Sequence, residues 1–447
     1  MGFNTLQFVF IFLPCFLVAY YVTPARLRNV TLCLGGLGFY AMGTWDRPWC
    51  LGLFLGLGLG VWFLGRLLGR TAHKRAVLTV GLVLLFGILL GFKYAGLSGV
   101  GLPLGISFYT FQLAAYLMEV ARGGMSPTGS LLTFSAGQLL FPKLLSGPLM
   151  APAELEGQVR ARAYSLEGYD EGLREFILGL SMKLLLADRM GVLWRQLGTI
   201  GYESVSTPLA WMGIFAYSFQ LYFDFCGYSR MAIGLGKMLG FRLPENFDHP
   251  YAARSIRDFW RRWHITLGAW FRTYVYIPLG GNRKGKLRMY RNLLIVWLLT
   301  ALWHGITWNF LLWGLAQFFL IAMERLWLGR LLDKSRVLSH LYMLGVIPLS
   351  WLLFAMKEPG ALLTYLGRLF PIGAKGVAVL AGDYLLYGKQ YGLLLLACFV
   401  FAMPWPGKLW ERIRTKPLGT GIVLVLFWAA VYCMAVSTND PFLYFSF

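Results

Sequence analysis

Long apolar runs dominate this chain, and short clusters of basic or mixed charge separate them. A helix that crosses a bilayer needs about 20 mostly apolar residues. Runs of that kind occupy 4–22, 29–45, 48–65, 76–96, 104–121, 130–150, 172–194, 208–228, 292–310, 311–328, 337–356, 376–403 and 419–437. Gly, Pro or a charge interrupts several of them, so about ten or eleven are expected to cross fully and the others to re-enter or lie along the interface. The stretch 255–280 breaks the pattern. It sets Arg257, Asp258, Arg261, Arg262, His264 and Arg272 among Trp260, Trp263, Trp270 and Phe271. Such a segment survives at membrane depth only when buried in protein or lining a watery cavity. No internal repeat, low-complexity linker or soluble domain is visible. The pattern predicts an all-α polytopic membrane protein with a single domain over residues 1–447.

Composition agrees. The chain is 57% hydrophobic and 14% charged, against about 25% charged in ordinary soluble domains. Its net charge of +21 would suggest nucleic acid in a soluble protein. Here the cations sit in short loops: Arg66, Arg70, His73, Lys74 and Arg75; Arg283, Lys284, Lys286, Arg288 and Arg291; Arg325, Arg330, Lys334 and Arg336; Lys408, Arg412, Arg414 and Lys416. That distribution points to the cytoplasmic side of a multi-pass protein and to anionic membrane lipids, with no nucleic-acid partner. The mixed-charge stretch 151–175 suits an amphipathic surface helix. Residues 4–22 lack a basic leader and a small-residue cleavage site, so they are expected to stay as a first membrane helix. The six cysteines are isolated and the histidines scattered, so no metal site is expected.

Two of the five histidines carry the chemical interest. His264 and His304 lie in similar apolar frames, Trp263-His264-Ile265-Thr266-Leu267 and Trp303-His304-Gly305-Ile306-Thr307-Trp308. Ionisable groups in membrane segments mark functional sites by default, and imidazole exchanges protons near neutral pH. A lone membrane histidine can equally serve as a hydrogen-bonded core residue. Arg261 and Arg262 have two readings, topology determinants or part of a polar pocket, and Asp258 is spaced to pair with either on a helix. An acid in an apolar run, Asp224, is expected to pair with an arginine, such as one of 254–262.

The blocks Trp260-Arg261-Arg262-Trp263-His264, Trp270 through Arg283 (ending Leu279-Gly280-Gly281-Asn282-Arg283) and Trp303-His304-Gly305 resemble the membrane-bound O-acyltransferase superfamily. The likeness is strongest to its bacterial alginate O-acetylation branch. Leu102 through Gln112, Phe141-Pro142-Lys143 through Gly147-Pro148, Tyr222 through Ser229, Pro244-Glu245-Asn246-Phe247 and the terminal Pro441 through Phe447 extend it across essentially the whole chain. Arg230, where relatives often carry Asp, and Asp248-His249 depart from the pattern.

This resemblance implies a helical bundle with re-entrant segments around a central tunnel, in the bacterial inner membrane. It implies O-acyl transfer with His304 catalytic and His264 as a second polar residue at the reacting centre. A hydroxyl is a poor nucleophile and needs a base within reach. His304 suits that task, with His264, a Trp N–H or an Arg on the oxyanion. Trp260, Arg261, Trp263 and Trp303 are expected to line the substrate site. Asn282, Arg283 and Lys284 either hold the phosphates of the donor or form a plain topology loop. Tyr444 is expected either to relay an acyl group or to anchor the tail at the interface. No cofactor is expected to be bound permanently. The donor is acetyl-CoA or an acyl-carrier protein, and an extracytoplasmic SGNH-hydrolase-like acetyltransferase is the expected partner. The acceptor is alginate, another exopolysaccharide or peptidoglycan. D-alanyl transfer for teichoic acid and, from another class, proton-coupled transport are the rival functions.

Overall fold

A computed structural model describes residues 2–97, 101–371, 379–380, 382–436 and 442. Among these there is no strand, only one isolated antiparallel bridge between Phe247 and Trp263. Six of the described helices are long and apolar enough to cross a membrane. Tyr444 lies outside the described residues.

The chain divides into two compact units. The first comprises residues 1–180, 228–245 and 431–446. It contains α1 (Leu13–Val22), α2 (Arg28–Gly43), α3 (Trp49–Leu68), α4 (Lys74–Leu97), α5 (Ile106–Arg122), α6 (Leu131–Gln138), α7 (Phe141–Leu144), α8 (Pro152–Arg160) and nearly all of α9 (Leu166–Ser181). The expected single run at 130–150 is thus broken in two. Leu140 takes an extended backbone and Pro142 sits in the first turn of α7, where a missing N–H does no harm. Phe3, Phe8, Phe39 and Phe141 cluster with ring centroids 4.9–6.4 Å apart. The mixed-charge stretch 151–175 forms α8 and the start of α9, and between them Arg162 donates to the Tyr20 hydroxyl at 2.9 Å and to Asn29 Oδ1 at 2.8 Å.

The second unit comprises residues 181–227 and 246–430. Here lie α10 (Asp188–Ile200), the first part of α11 (Thr207–Met238), α12 (Ile256–Arg262), α13 (Ile265–Phe271), α14 (Lys286–His304), α15 (Trp308–Met323), α16 (Gly329–Leu332), α17 (Arg336–Ala355), α18 (Pro359–Leu369), α19 (Asp383–Phe401), α20 (Pro404–Ile413) and most of α21 (Pro417–Val436). The polar stretch 255–280 folds as the two short helices α12 and α13 and a π-helical turn, Arg272–Tyr276. Helices α14 and α15 form a tight hairpin, in which a Cβ on Gly314 would meet the Ala301 methyl at 2.8 Å and the Trp297 carbonyl at 2.9 Å. Asp224 meets Lys183 at 2.6 Å, a lysine where an arginine was expected. Lys183 lies in a π-helical turn, Met182–Ala187, and also meets Asp188 at 2.6 Å. A buried charge must be paired to be tolerated, and the lysine supplies that pairing from the neighbouring segment.

Within the first unit, α9 crosses the last turns of α11 at Gly172 and Gly234. A Cβ on Gly234 would lie 2.4 Å from the Gly172 carbonyl oxygen and 2.6 Å from the Phe176 nitrogen. The obstacles are backbone and cannot yield by a rotamer change. Gly234→Ala is therefore expected to cost about 1–3 kcal/mol, read as an earlier thermal transition of the detergent-solubilised protein. An unchanged transition would show that this crossing is loose.

Candidate active site

His264 takes a left-handed backbone, φ 45° and ψ 53°, at the N-terminus of α13. Only His249 shares a positive φ among the described non-glycine residues. Such a conformation costs of order 1–3 kcal/mol and persists only when its surroundings dictate it. Asn246, fully buried, does so. Its backbone carbonyl accepts from Ile265 N–H at 3.0 Å. Its side-chain oxygen faces His264 Nδ1 at 3.0 Å, Thr266 N–H at 3.3 Å and the Thr266 hydroxyl at 3.0 Å. The Thr266 amide can only donate, so the atom facing the ring is the amide oxygen, and Nδ1 must carry the proton. Burial favours the uncharged ring and lowers its pKa. The neutral His264 therefore presents a lone pair at Nε2. That tautomer accepts a proton and cannot donate to an oxyanion.

His304 ends α14, where Gly305 turns the chain out of the helix. The ring is buried. Its centroid lies 4.4 Å from Trp303, 5.2 Å from Trp313 and 4.9 Å from Phe354. Trp303 is also 6.2 Å from the His264 ring. The indole of Trp303 thus stands against both imidazoles, which are 40 residues apart in sequence. A Cβ on Gly305 would strike Phe310 at 2.6 Å, so glycine is needed for this approach. Asn309 secures the adjoining turn. It accepts from the Thr307 hydroxyl at 2.6 Å and donates to the Leu353 and Phe354 carbonyls at 3.3 Å.

Helix α12 is clasped at two points, by α15 and by the π-helical turn that continues it, Glu324–Leu328. Trp260 Nε1–H donates to Gln317 Oε1 at 3.0 Å. Two turns further along, buried Glu324 accepts from the free N–H groups of Ile256 at 2.6 Å and Arg257 at 3.3 Å. A carboxylate at a helix N-terminus satisfies orphan donors and the helix dipole together. Neither Glu324 nor Gln317 stands out in the sequence pattern, although an acid at the end of the apolar run 311–328 was a usable signal. Trp260 and Trp263 join Trp297, Trp313 and Trp351 in one aromatic wall, with centroids 5.0–6.1 Å apart.

The other expected site residues lie apart from this wall. Arg261 is 76% exposed and pairs with Asp258 at 2.5 Å. Arg262 also reaches Asp258, at 3.1 Å. Burial alone would raise the Asp258 pKa, but the hydrogen bonds and charges of Arg262 and Arg261 outweigh it and the pKa is lowered. Asn282, Arg283 and Lys284 are exposed in the loop before α14. Asn292 holds that loop by donating to the Leu279 and Gly281 carbonyls at 3.2 and 3.0 Å. The loop and His304 occupy opposite ends of a 19-residue helix, a separation of about 28 Å at 1.5 Å per residue.

Residues 127–367 match the model of the membrane-bound O-acyltransferase family. The chain belongs to the membrane-bound O-acyltransferase family. A probable alginate O-acetylase AlgI of Pseudomonas putida is 34% identical over the full length of both chains. A peptidoglycan O-acetyltransferase of Helicobacter pylori is 33% identical over 84% of this chain and 81% of its own. A teichoic acid D-alanyltransferase of Streptococcus thermophilus is 29% identical over 51% of this chain and 58% of its own. This membrane-bound O-acyltransferase is accordingly a multi-pass enzyme of O-acyl transfer, with acetyl the group named for its full-length relatives.

Substitutions at two residues probe the supports rather than the imidazoles. Asn246→Ala removes the acceptor of three hydrogen bonds and is expected to lower kcat at least tenfold with little change in KM. Glu324→Gln keeps one acceptor but loses the charge, and the acyltransferase should be intermediate between wild type and Glu324→Ala. Equal activity in all forms, measured as acyl transfer in nanodiscs, would show that neither support positions the site.

Proposed function

We propose that this acyltransferase takes an acetyl group from a cytoplasmic thioester, acetyl-CoA, and passes it across the bacterial inner membrane for O-acetylation of an extracytoplasmic polysaccharide. The acceptor class is alginate, a related exopolysaccharide or peptidoglycan, and the last transfer falls to an SGNH-hydrolase-like partner. The observation that carries this reading is the pair of buried imidazoles on one indole, inside an aromatic wall of a membrane-spanning chain.

In the proposed step His304 takes the proton of the attacking hydroxyl as its oxygen bonds to the thioester carbonyl. The tetrahedral intermediate then collapses, the C–S bond breaks, and the imidazolium returns the proton to the leaving thiolate. Donors preorganised toward the developing charge typically contribute the most to such a barrier. The tautomer of His264 argues against it in that role, and Trp313 suits the role better. Its indole N–H is buried, has no acceptor among the described residues, and belongs to a ring 5.2 Å from His304. The exposed loop with Asn282, Arg283 and Lys284 would meet the far, phosphate-bearing end of the donor, while Trp260, Trp263 and Trp303 enclose its acyl end.

The Streptococcus thermophilus relative favours a second reading, D-alanyl transfer from a carrier protein. Acetyl release from labelled acetyl-CoA in nanodiscs separates the two. Wild-type turnover is expected, with none in folded His304→Ala. Turnover only from a charged carrier protein would replace acetylation with D-alanylation, and inactivity with every thioester and partner would revive proton-coupled transport. Trp313→Phe preserves the ring and removes the N–H. It should lower kcat about 10²–10³-fold at unchanged KM, and full activity would clear Trp313 of the role.

A further inference from the structure

In the first unit, residues of α5, α6, α7 and α8 line a half-open pocket with a cavity volume of about 60 Å³. Lys143, from the short helix α7, lines it and is completely buried. Its ammonium donates to Gln112 Oε1 and makes no ion pair among the described residues. A buried cation without an anion is costly. Two further donors line the same pocket. The side-chain NH₂ groups of Gln112 and Gln138 are buried and have no acceptor among the described residues. Buried polar groups are ordinarily satisfied, and a pocket lined by an ammonium and two such amide NH₂ groups favours an acceptor-rich, anionic ligand.

The pocket's own acid does not fill that need. Glu156 accepts from Arg160 at 2.9 Å and from the Thr128 hydroxyl at 2.5 Å. The rest of the lining is largely apolar, with Leu113, Phe134 and Met150. The rim meets the basic end of α3. Trp62 Nε1–H donates to the Thr128 carbonyl at 3.0 Å, and Arg66 to the Gly129 carbonyl at 2.8 Å. Arg70, Lys74 and Arg75 follow, all exposed. A basic rim of this kind draws anionic headgroups to the membrane surface.

We propose that this pocket binds the phosphodiester of an anionic phospholipid. Lys143, Gln112 and Gln138 hold the phosphate oxygens, and the glycerol and acyl chains extend out through the open side of the pocket. A phosphodiester carries one negative charge, which neutralises one ammonium and leaves no surplus charge buried. The acetyl-transfer reading is not needed for this assignment, and the site is separate from the residues argued to do that chemistry.

The full-length protein, delipidated in detergent, would be titrated with dioleoyl phosphatidylglycerol and followed by native mass spectrometry. Parallel arms use dioleoylglycerol, which lacks the phosphate, oleate, which replaces it with a carboxylate, and acetyl-CoA as a soluble phosphate competitor. One phosphatidylglycerol retained by wild type, at least tenfold more weakly by Lys143→Met, and undisturbed by acetyl-CoA supports the site. Gln138→Leu, which leaves the lysine in place, should weaken retention several-fold and carries the test should Lys143→Met fail to fold. Equal retention by wild type and variants overturns the proposal. So does retention of dioleoylglycerol or oleate as strong as that of phosphatidylglycerol, or displacement by acetyl-CoA.

Discussion

The side-chain oxygen of Asn246 holds together two things that would otherwise drift apart, a left-handed histidine backbone and the orientation of its ring. A residue with a Cβ gains nothing from that backbone on its own. The hydrogen bonds from Nδ1, Thr266 N–H and the Thr266 hydroxyl offset the strain and choose the tautomer at once. The antiparallel bridge between Phe247 and Trp263 belongs to the same clasp, because Asp248 N–H donates to the Arg262 carbonyl and Ile265 N–H to the Asn246 carbonyl. Sheet-like pairing over a single residue pair is thus enough to aim one imidazole.

The second support acts at a distance from either ring. Glu324 fixes the start of α12, and Gln317 fixes its middle through Trp260. The same α15 carries Trp313, which packs edge-on against His304. One helix therefore sets both halves of the site, and the two histidines share a frame although they come from different parts of the chain. Lys183 between Asp188 and Asp224 plays a comparable part elsewhere in this unit, where buried charges are satisfied by one another instead of by water.

Much of this was legible in the residue pattern. The apolar runs at 29–45, 48–65, 76–96, 104–121 and 337–356 closely match α2, α3, α4, α5 and α17, because length and hydropathy alone decide them. The run 208–228 stops short of the true end of α11 at Met238. Ser229 and Arg230 look like a helix end, but the polar side chains beyond them find partners: Arg230 meets Glu175 at 3.4 Å and Lys237 meets Glu171 at 3.7 Å. The histidine frames pointed to a candidate site. Its supports did not, since Asn246 and Glu324 act through partners 18 and 68 residues away, and no local periodicity encodes such pairs. Helix α18 also escaped notice, its eleven residues being too few for a spanning run.

Helix α14 has one further consequence. It begins beside a loop pinned by Asn292 and ends on Trp303 and His304, so the rotational setting of both rings is inherited from the far end of the helix. Each residue of an α-helix advances the side chain by about 100°. One residue gained or lost between Asn292 and Trp303 would swing the indole and the imidazole about a quarter-turn away from His264 without touching either of them. Length in this segment is therefore as much a part of the chemistry as identity, and exposed positions such as Leu299 and Leu302 should tolerate point substitutions where insertions and deletions are not tolerated.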